Sequence, residues 1–319
     1  MNDKTDARLA PDRSRLRPEL RAMLEVADGA PPSPSDPLEA RASARVGVPE
    51  LWGSLDDVAE VDTLAADPTT GRPRLRLFCP ADPAGTILYM HGGSFITGDL
   101  DTHEGPCRML ANRSRATVVA IDYRRAPEYP FPAAVGDCFS ALDWLVSGAG
   151  HELDRDRIVV CGDSAGGNLA AVLARRARDR GITLRGQALL YPLTDSGSSH
   201  LSRSTFANGF FLTAADIAWL LHHYASAGGL ADPDLAPLKA GDLSGLAPCY
   251  LATADHDPLR DEGRAYAMRL IEAGNDVCYE EWQGVVHGFW VMRSKTPATA
   301  ALVARVAGWA RDRLDHIPV

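Results

Sequence analysis

Three short apolar runs most constrain what this chain can fold into. They cover residues 86–90, 117–121 and 158–161, and each is closed by Gly or Asp within a residue or two. A run of four or five apolar residues is too short for a buried helix, and its continuous apolarity suits a strand covered on both faces. Helical periodicity fills the intervals at 103–115, 131–147 and 165–180. Further strands are expected at 58–61, 75–78, 187–191, 249–254 and 276–282, with helices over 260–273 and 297–314. Strand and helix alternating in this way imply an α/β fold with a mostly parallel central sheet and helices on both faces.

Two segments break the rhythm. Residues 1–50 read as an appendage, with one short helix over 16–27, a Pro/Ser-rich break at 30–37, and a second helix to about residue 46. Residues 195–247 show no strand pattern, only a helical one over 214–224. An insertion of that length between core strands commonly covers a site.

Whole-chain properties narrow the function classes. The chain has 319 residues, 45% hydrophobic and 24% charged, with a formal net charge of −9. That balance belongs to an ordinary globular domain and disfavours nucleic acid and anionic membranes as partners. No apolar stretch approaches the roughly 18–20 residues of a membrane span. The N-terminus lacks the apolar core of a secretory signal. The six cysteines follow no paired motif, as expected for free thiols in a reducing compartment. The expected location is therefore cytoplasmic, with a small-molecule substrate; a homodimer is left open.

Four motifs carry chemistry, each at an expected strand end. Gly162-Asp163-Ser164-Ala165-Gly166 joins a strand to a helix. A serine on so sharp a turn projects its hydroxyl out of the sheet, and the following helix start offers free N–H groups to an oxyanion. His91-Gly92-Gly93-Ser94-Phe95 follows the strand at 86–90, and paired glycines allow backbone N–H groups to turn toward a ligand. Asp255-His256-Asp257-Pro258 ends the run at 250–254. His287-Gly288-Phe289 follows the strand ending near Trp282. Taken singly these have plain structural readings: a glycine-rich helix start, a turn, a helix cap, a surface histidine. His151, His222, His223 and His316 follow no core strand. No histidine pair or cysteine cluster has metal-ligand spacing, so neither metal nor cofactor is expected.

Chain order joins the motifs. An α/β-hydrolase triad runs Ser, acid, His, with the oxyanion loop ahead of all three. Ser164, Asp257 and His287 stand in that order behind Gly92 and Gly93. Asp257 is preferred to Asp255 because Pro258 favours a turn directly after it.

Over nearly its whole length the chain resembles the hormone-sensitive lipase-like, or family IV, bacterial esterases. The resemblance rests on His91-Gly92-Gly93, Asp122-Tyr123-Arg124-Arg125-Ala126-Pro127-Glu128 running into Phe131-Pro132-Ala133-Ala134, and Gly162-Asp163-Ser164-Ala165-Gly166-Gly167. It extends to Asp257-Pro258-Leu259-Arg260-Asp261-Glu262-Gly263 and His287-Gly288-Phe289. It implies the α/β-hydrolase fold with a helical cap: residues 1–50 as the N-terminal part of the cap, and 51–319 as the catalytic domain with a cap insertion at about 195–247. It implies Ser164 as nucleophile, His287 as general base and then acid, and Asp257 as its orienter. Gly92, Gly93 and Ala165 would donate to the oxyanion, and His91 would brace the loop. Ser94 replaces a usual third glycine, and Arg125 replaces a usual apolar residue. The expected reaction is hydrolysis of short-chain acyl esters, with Phe95, Phe206, Phe210 and Phe211 as pocket candidates. An amidase or deacetylase would use the same groups, and the plant gibberellin receptors show that a binding protein can use the fold without a working triad.

Overall fold

The computed structural model of the chain describes residues 12–29, 35–149, 153–225 and 229–315. His151 and His316, two of the weaker histidine candidates, lie outside them. Eight strands form one sheet: β1 (Glu60–Leu64), β2 (Arg74–Cys79), β3 (Thr86–Met90), β4 (Thr117–Asp122), β5 (Ile158–Asp163), β6 (Gly186–Leu190), β7 (Cys249–His256) and β8 (Val277–Val286). Their spatial order is β1-β2-β4-β3-β5-β6-β7-β8. β2 runs antiparallel to both β1 and β4, and every other pairing is parallel.

The apolar runs become the centre of this sheet because both of their faces are covered. In β3, Leu88 and Met90 enter one core cluster, while Ile87 and Tyr89 enter the other. The same alternation divides Val119 from Val118 in β4 and Val160 from Val159 in β5. A period of two places successive side chains on opposite faces, so each run supplies two cores at once. Helices α4 (Ala133–Val146), α5 (Ala165–Asp179) and α8 (Arg260–Glu272) line the first core. Helices α3 (Glu104–Ser114) and α9 (Pro297–Asp315) line the second.

The N-terminal segment forms α1 (Pro18–Ala27) and α2 (Pro37–Trp52). It is part of the second core rather than an appendage. Leu16, Leu20 and Leu24 of the α1 segment and Trp52 of α2 are buried there. α2 runs past the expected end near residue 46, through Gly47 and Pro49, to Trp52. Packing overrides local propensity at that end: the Trp52 ring lies so close to Gly105 that a Cβ there would sit 2.3 Å away, and Arg293 covers it at 4.7 Å. Within 195–247 the described residues hold α6 (Leu201–Thr205), α7 (Ala214–Tyr224) and two single 3-10 turns, but no strand. No helix among the described residues is long and apolar enough to cross a membrane.

Candidate active site

The turn between β5 and α5 puts Ser164 at φ 55° and ψ −117°, a backbone region costly for a residue with a side chain. The neighbouring glycines make the turn possible. A Cβ at Gly162 would meet Gly166 O at 2.2 Å, and one at Gly166 would meet Met90 O at 2.0 Å. The Ser164 N–H is held by Leu190 O of β6 at 2.8 Å. The hydroxyl is thereby fixed at the C-terminal ends of β3, β5 and β6, where open parallel sheets place their ligands.

β7 and β8 deliver the two other groups to this point. Asp257 follows β7 directly and is fully buried. Its Oδ1 accepts the Leu259 N–H at 2.8 Å, and its Oδ2 lies 2.7 Å from His287 Nδ1. His287 follows β8, and its Nε2 lies 2.8 Å from Ser164 Oγ. With the ring hydrogen on Nδ1, His287 donates to Asp257 and accepts from Ser164. The Tyr191 ring stands edge-on against the imidazole at 4.7 Å. Such a chain can draw a proton from a serine hydroxyl as it attacks a carbonyl carbon.

Asp255 has separate partners. Its carboxylate accepts the N–H groups of Gly284 at 2.9 Å and Val285 at 3.1 Å, and bonds His256 Nδ1 at 2.7 Å. It therefore braces β8 where the β7–β8 register shifts, just ahead of His287.

The oxyanion loop corrects one expectation. The Gly92 N–H is not free, because it donates to Asp163 Oδ1 at 2.9 Å. A Cβ at Gly92 would sit 2.4 Å from the same carboxylate, which is why glycine stands there. The loop then turns through three positive φ values, 119° at Gly93, 57° at Ser94 and 59° at Phe95. Gly93 O closes the turn by accepting Ile96 N–H at 2.9 Å and Thr97 N–H at 2.7 Å. Among the described residues, the N–H groups of Gly93, Ser94 and Ala165 have no acceptor. Successive N–H groups in such a bend form an anion-binding concavity, and Ala165 adds the first N–H of α5.

Asp163, between glycine and serine, was not singled out by the sequence, although an acid at that position was its signal. Burial pushes its carboxyl up, but His103, the Tyr89 hydroxyl and the Gly92 N–H outweigh this and hold it below the ordinary carboxylate range. Tyr89 donates at 2.6 Å and in turn accepts Trp290 Nε1–H at 2.9 Å. His91 lies behind the loop, stacked on Tyr123 at 4.2 Å, with Nδ1 2.8 Å from Gly92 O. Burial and nearby His103 lower its pKa to about 3, so the ring is neutral. Arg125 is also accounted for: it donates to Gly98 O and lies 3.7 Å from Asp122.

The aromatic candidates divide. Phe211 is half-exposed and lies beside Gly288, where a Cβ would meet its ring at 3.1 Å. Phe95 is buried in the oxyanion loop, stacked on Tyr224 of α7 at 3.9 Å. Phe206 and Phe210 pack on each other and on His256, in the core cluster that holds the α1 leucines. Both side chains are buried. No group of three or more His, Cys, Asp or Glu among the described residues could hold a metal ion.

Residues 87–291 match a family of the α/β hydrolase fold. Among curated proteins, the chain is 39% identical over 294 residues to the carboxylic ester hydrolase LipN of Mycobacterium tuberculosis, covering 87% of this chain and 78% of the relative. It is 33% identical over 296 residues to an ethyl acetate hydrolase of Pseudomonas putida, covering 88% and 93%. Among solved structures it superimposes on an α/β hydrolase enzyme from the metagenome of Lake Arreo, Spain, with a TM-score of 0.89 at 36% identity, covering 95% of this chain and 100% of that one.

Proposed function

The chain belongs to the hormone-sensitive lipase-like esterases of the α/β-hydrolase fold family, and on that premise we propose that it is a serine carboxylesterase acting on short-chain acyl esters. The observation that carries the reading is the continuous bonding from Ser164 Oγ through His287 to Asp257, at 2.8 and 2.7 Å. In this reading His287 takes the Ser164 proton as Oγ attacks the ester carbonyl. The developing oxyanion is received by the Gly93, Ser94 and Ala165 N–H groups at the positive end of α5. His287 then gives the proton to the leaving alkoxide, which frees the alcohol and leaves an acyl group on Ser164. Water, deprotonated by His287, attacks that acyl group, and His287 returns the proton to Ser164 Oγ as the acyl–oxygen bond breaks and the acid leaves. Asp257 holds the imidazole in the required tautomer and stabilises its charged form.

Support for short acyl groups comes from aromatic rings on the two loops that carry the site, Phe95 in the oxyanion loop, stacked on Tyr224, and Phe211 beside Gly288, the neighbour of His287. A relative named for ethyl acetate agrees with that size. The test is a series of p-nitrophenyl esters from acetate to laurate, with and without chelator. Fastest turnover on the shortest members, unchanged by EDTA, is expected. Turnover abolished by EDTA and restored by Zn²⁺ would contradict the mechanism, and an optimum at laurate would contradict the substrate class.

A further inference from the structure

The oxyanion loop is held by a side chain from the N-terminal helix α2, Arg41. Three successive positive-φ residues, two of them not glycine, keep their conformation only where the surroundings over-determine it. Inside the loop, Gly93 O collects the Ile96 and Thr97 N–H groups. The next link crosses to the chain after β4, where the Ala126 N–H donates to Phe95 O at 3.0 Å. Two carbonyls of this arrangement, Ile96 O and Ala126 O, then meet one side chain, Arg41 of α2. Arg41 Nε donates to Ile96 O at 2.7 Å and Nη2 to Ala126 O at 2.6 Å.

Glu128 aims that guanidinium. Its two carboxylate oxygens accept from Arg41 Nη1 at 2.6 Å and Nη2 at 2.5 Å. The Arg41 hydrogen bonds hold the Glu128 carboxyl down at about 2. A planar guanidinium can bridge two carbonyls and a carboxylate in one plane; a lysine ammonium has neither the fork nor the fixed geometry. The Arg41 side chain is only 16% exposed, so water does not readily replace it at these carbonyls.

We infer that Arg41, on the N-terminal helix α2, is a positioning residue for ester hydrolysis, fixing the loop that presents the Gly93 and Ser94 N–H groups by tying Ile96 O to Ala126 O. The inference rests on the esterase reading above. Arg41 touches neither substrate nor the reacting atoms. Its effect falls on the transition state, because the N–H groups are needed where the oxyanion forms and contribute less to binding the neutral ester.

The test compares wild type, Arg41→Ala and Arg41→Lys on p-nitrophenyl acetate, with active sites counted by burst titration. Displacement of a preorganised group by about an ångström costs on the order of 10²-fold. Arg41→Ala should therefore lose about 10- to 100-fold in kcat with KM within about twofold, and added guanidinium should restore part of the loss. Arg41→Lys, which can reach one carbonyl but not bridge two, should fall between, and it carries the test if the alanine variant fails to fold. Unchanged kcat in a folded variant, or a raised KM with unchanged kcat, overturns the inference and makes Arg41 a strap for the N-terminal segment. A wild-type chain with no esterase activity overturns the functional reading itself, and this inference with it.

Discussion

Asp257 Oδ2 sits 2.7 Å from His287 Nδ1, whereas Asp255, two residues earlier, is bonded to His256 and to the β8 backbone. The two acids are therefore separable by mutation. In a serine protease, replacing the orienting aspartate with asparagine costs about 10⁴ in turnover. Asp257→Asn should lose a comparable order in kcat with the protein folded. Asp255→Asn weakens only the support of the segment entering His287, and about tenfold is expected, as for outer residues that orient a functional group. Steady-state kinetics on both variants decide the assignment, and a larger kcat loss in Asp255→Asn would reverse it.

His91 gives a stability prediction with a definite sign. Burial and His103 lower its pKa from 6.5 to about 3. Between those values the unfolded chain binds a proton that the folded chain refuses, so stability rises with pH through this window and is lost as acid is added. The contribution of this one group is about 1.4 kcal/mol per pH unit inside the window and nothing above it. His91→Phe keeps a ring on Tyr123 and removes the titration. Urea midpoints between pH 4.5 and 7 should then fall less steeply with acid in the variant than in wild type, by about one proton in slope. Equal slopes would show that His91 is not the neutral buried group described.

Two glycines on different helices should respond in opposite directions. Gly166 opens α5 against Met90 O, where a Cβ would lie at 2.0 Å, so Gly166→Ala should cost about 3 kcal/mol or more through backbone displacement. Gly136 lies inside α4 with nothing within 4 Å of a Cβ, so Gly136→Ala should add about 0.5–1 kcal/mol. Urea denaturation of the two variants checks both signs.

Removal of residues 1–30 should do more than open a gate. Leu16, Leu20 and Leu24 are at most 4% exposed, and Arg17 N–H donates to Gly284 O at 2.9 Å, just ahead of His287. Each buried leucine contributes about 1.5–3 kcal/mol. The truncated chain should melt lower and lose kcat on esters of every length. An unchanged melting temperature with altered chain-length preference would reduce the segment to a lid.

The parallel core and the order Ser164, Asp257, His287 were legible because each depends on local pattern. An apolar run of four or five residues has few ways to be buried, and a polar residue at its C-terminal end is placed by the strand itself. What the sequence concealed depends on direction and distance. The Gly92 N–H points to Asp163 rather than into the site, which spacing along the chain does not encode. Arg41 meets Ile96 and Ala126 across 55 and 85 residues of chain, with no motif around it. Phe206 and Phe210 are buried while Phe211 is exposed, a difference that their closeness in the sequence does not reveal.

The central claim, that Ser164 is the nucleophile, is tested most directly by a fluorophosphonate and intact-mass measurement. One adduct per chain is expected, on the peptide containing Ser164, lost in Ser164→Ala together with esterase activity. An adduct of equal yield in Ser164→Ala, or ester hydrolysis by a protein that takes up no label, would contradict it.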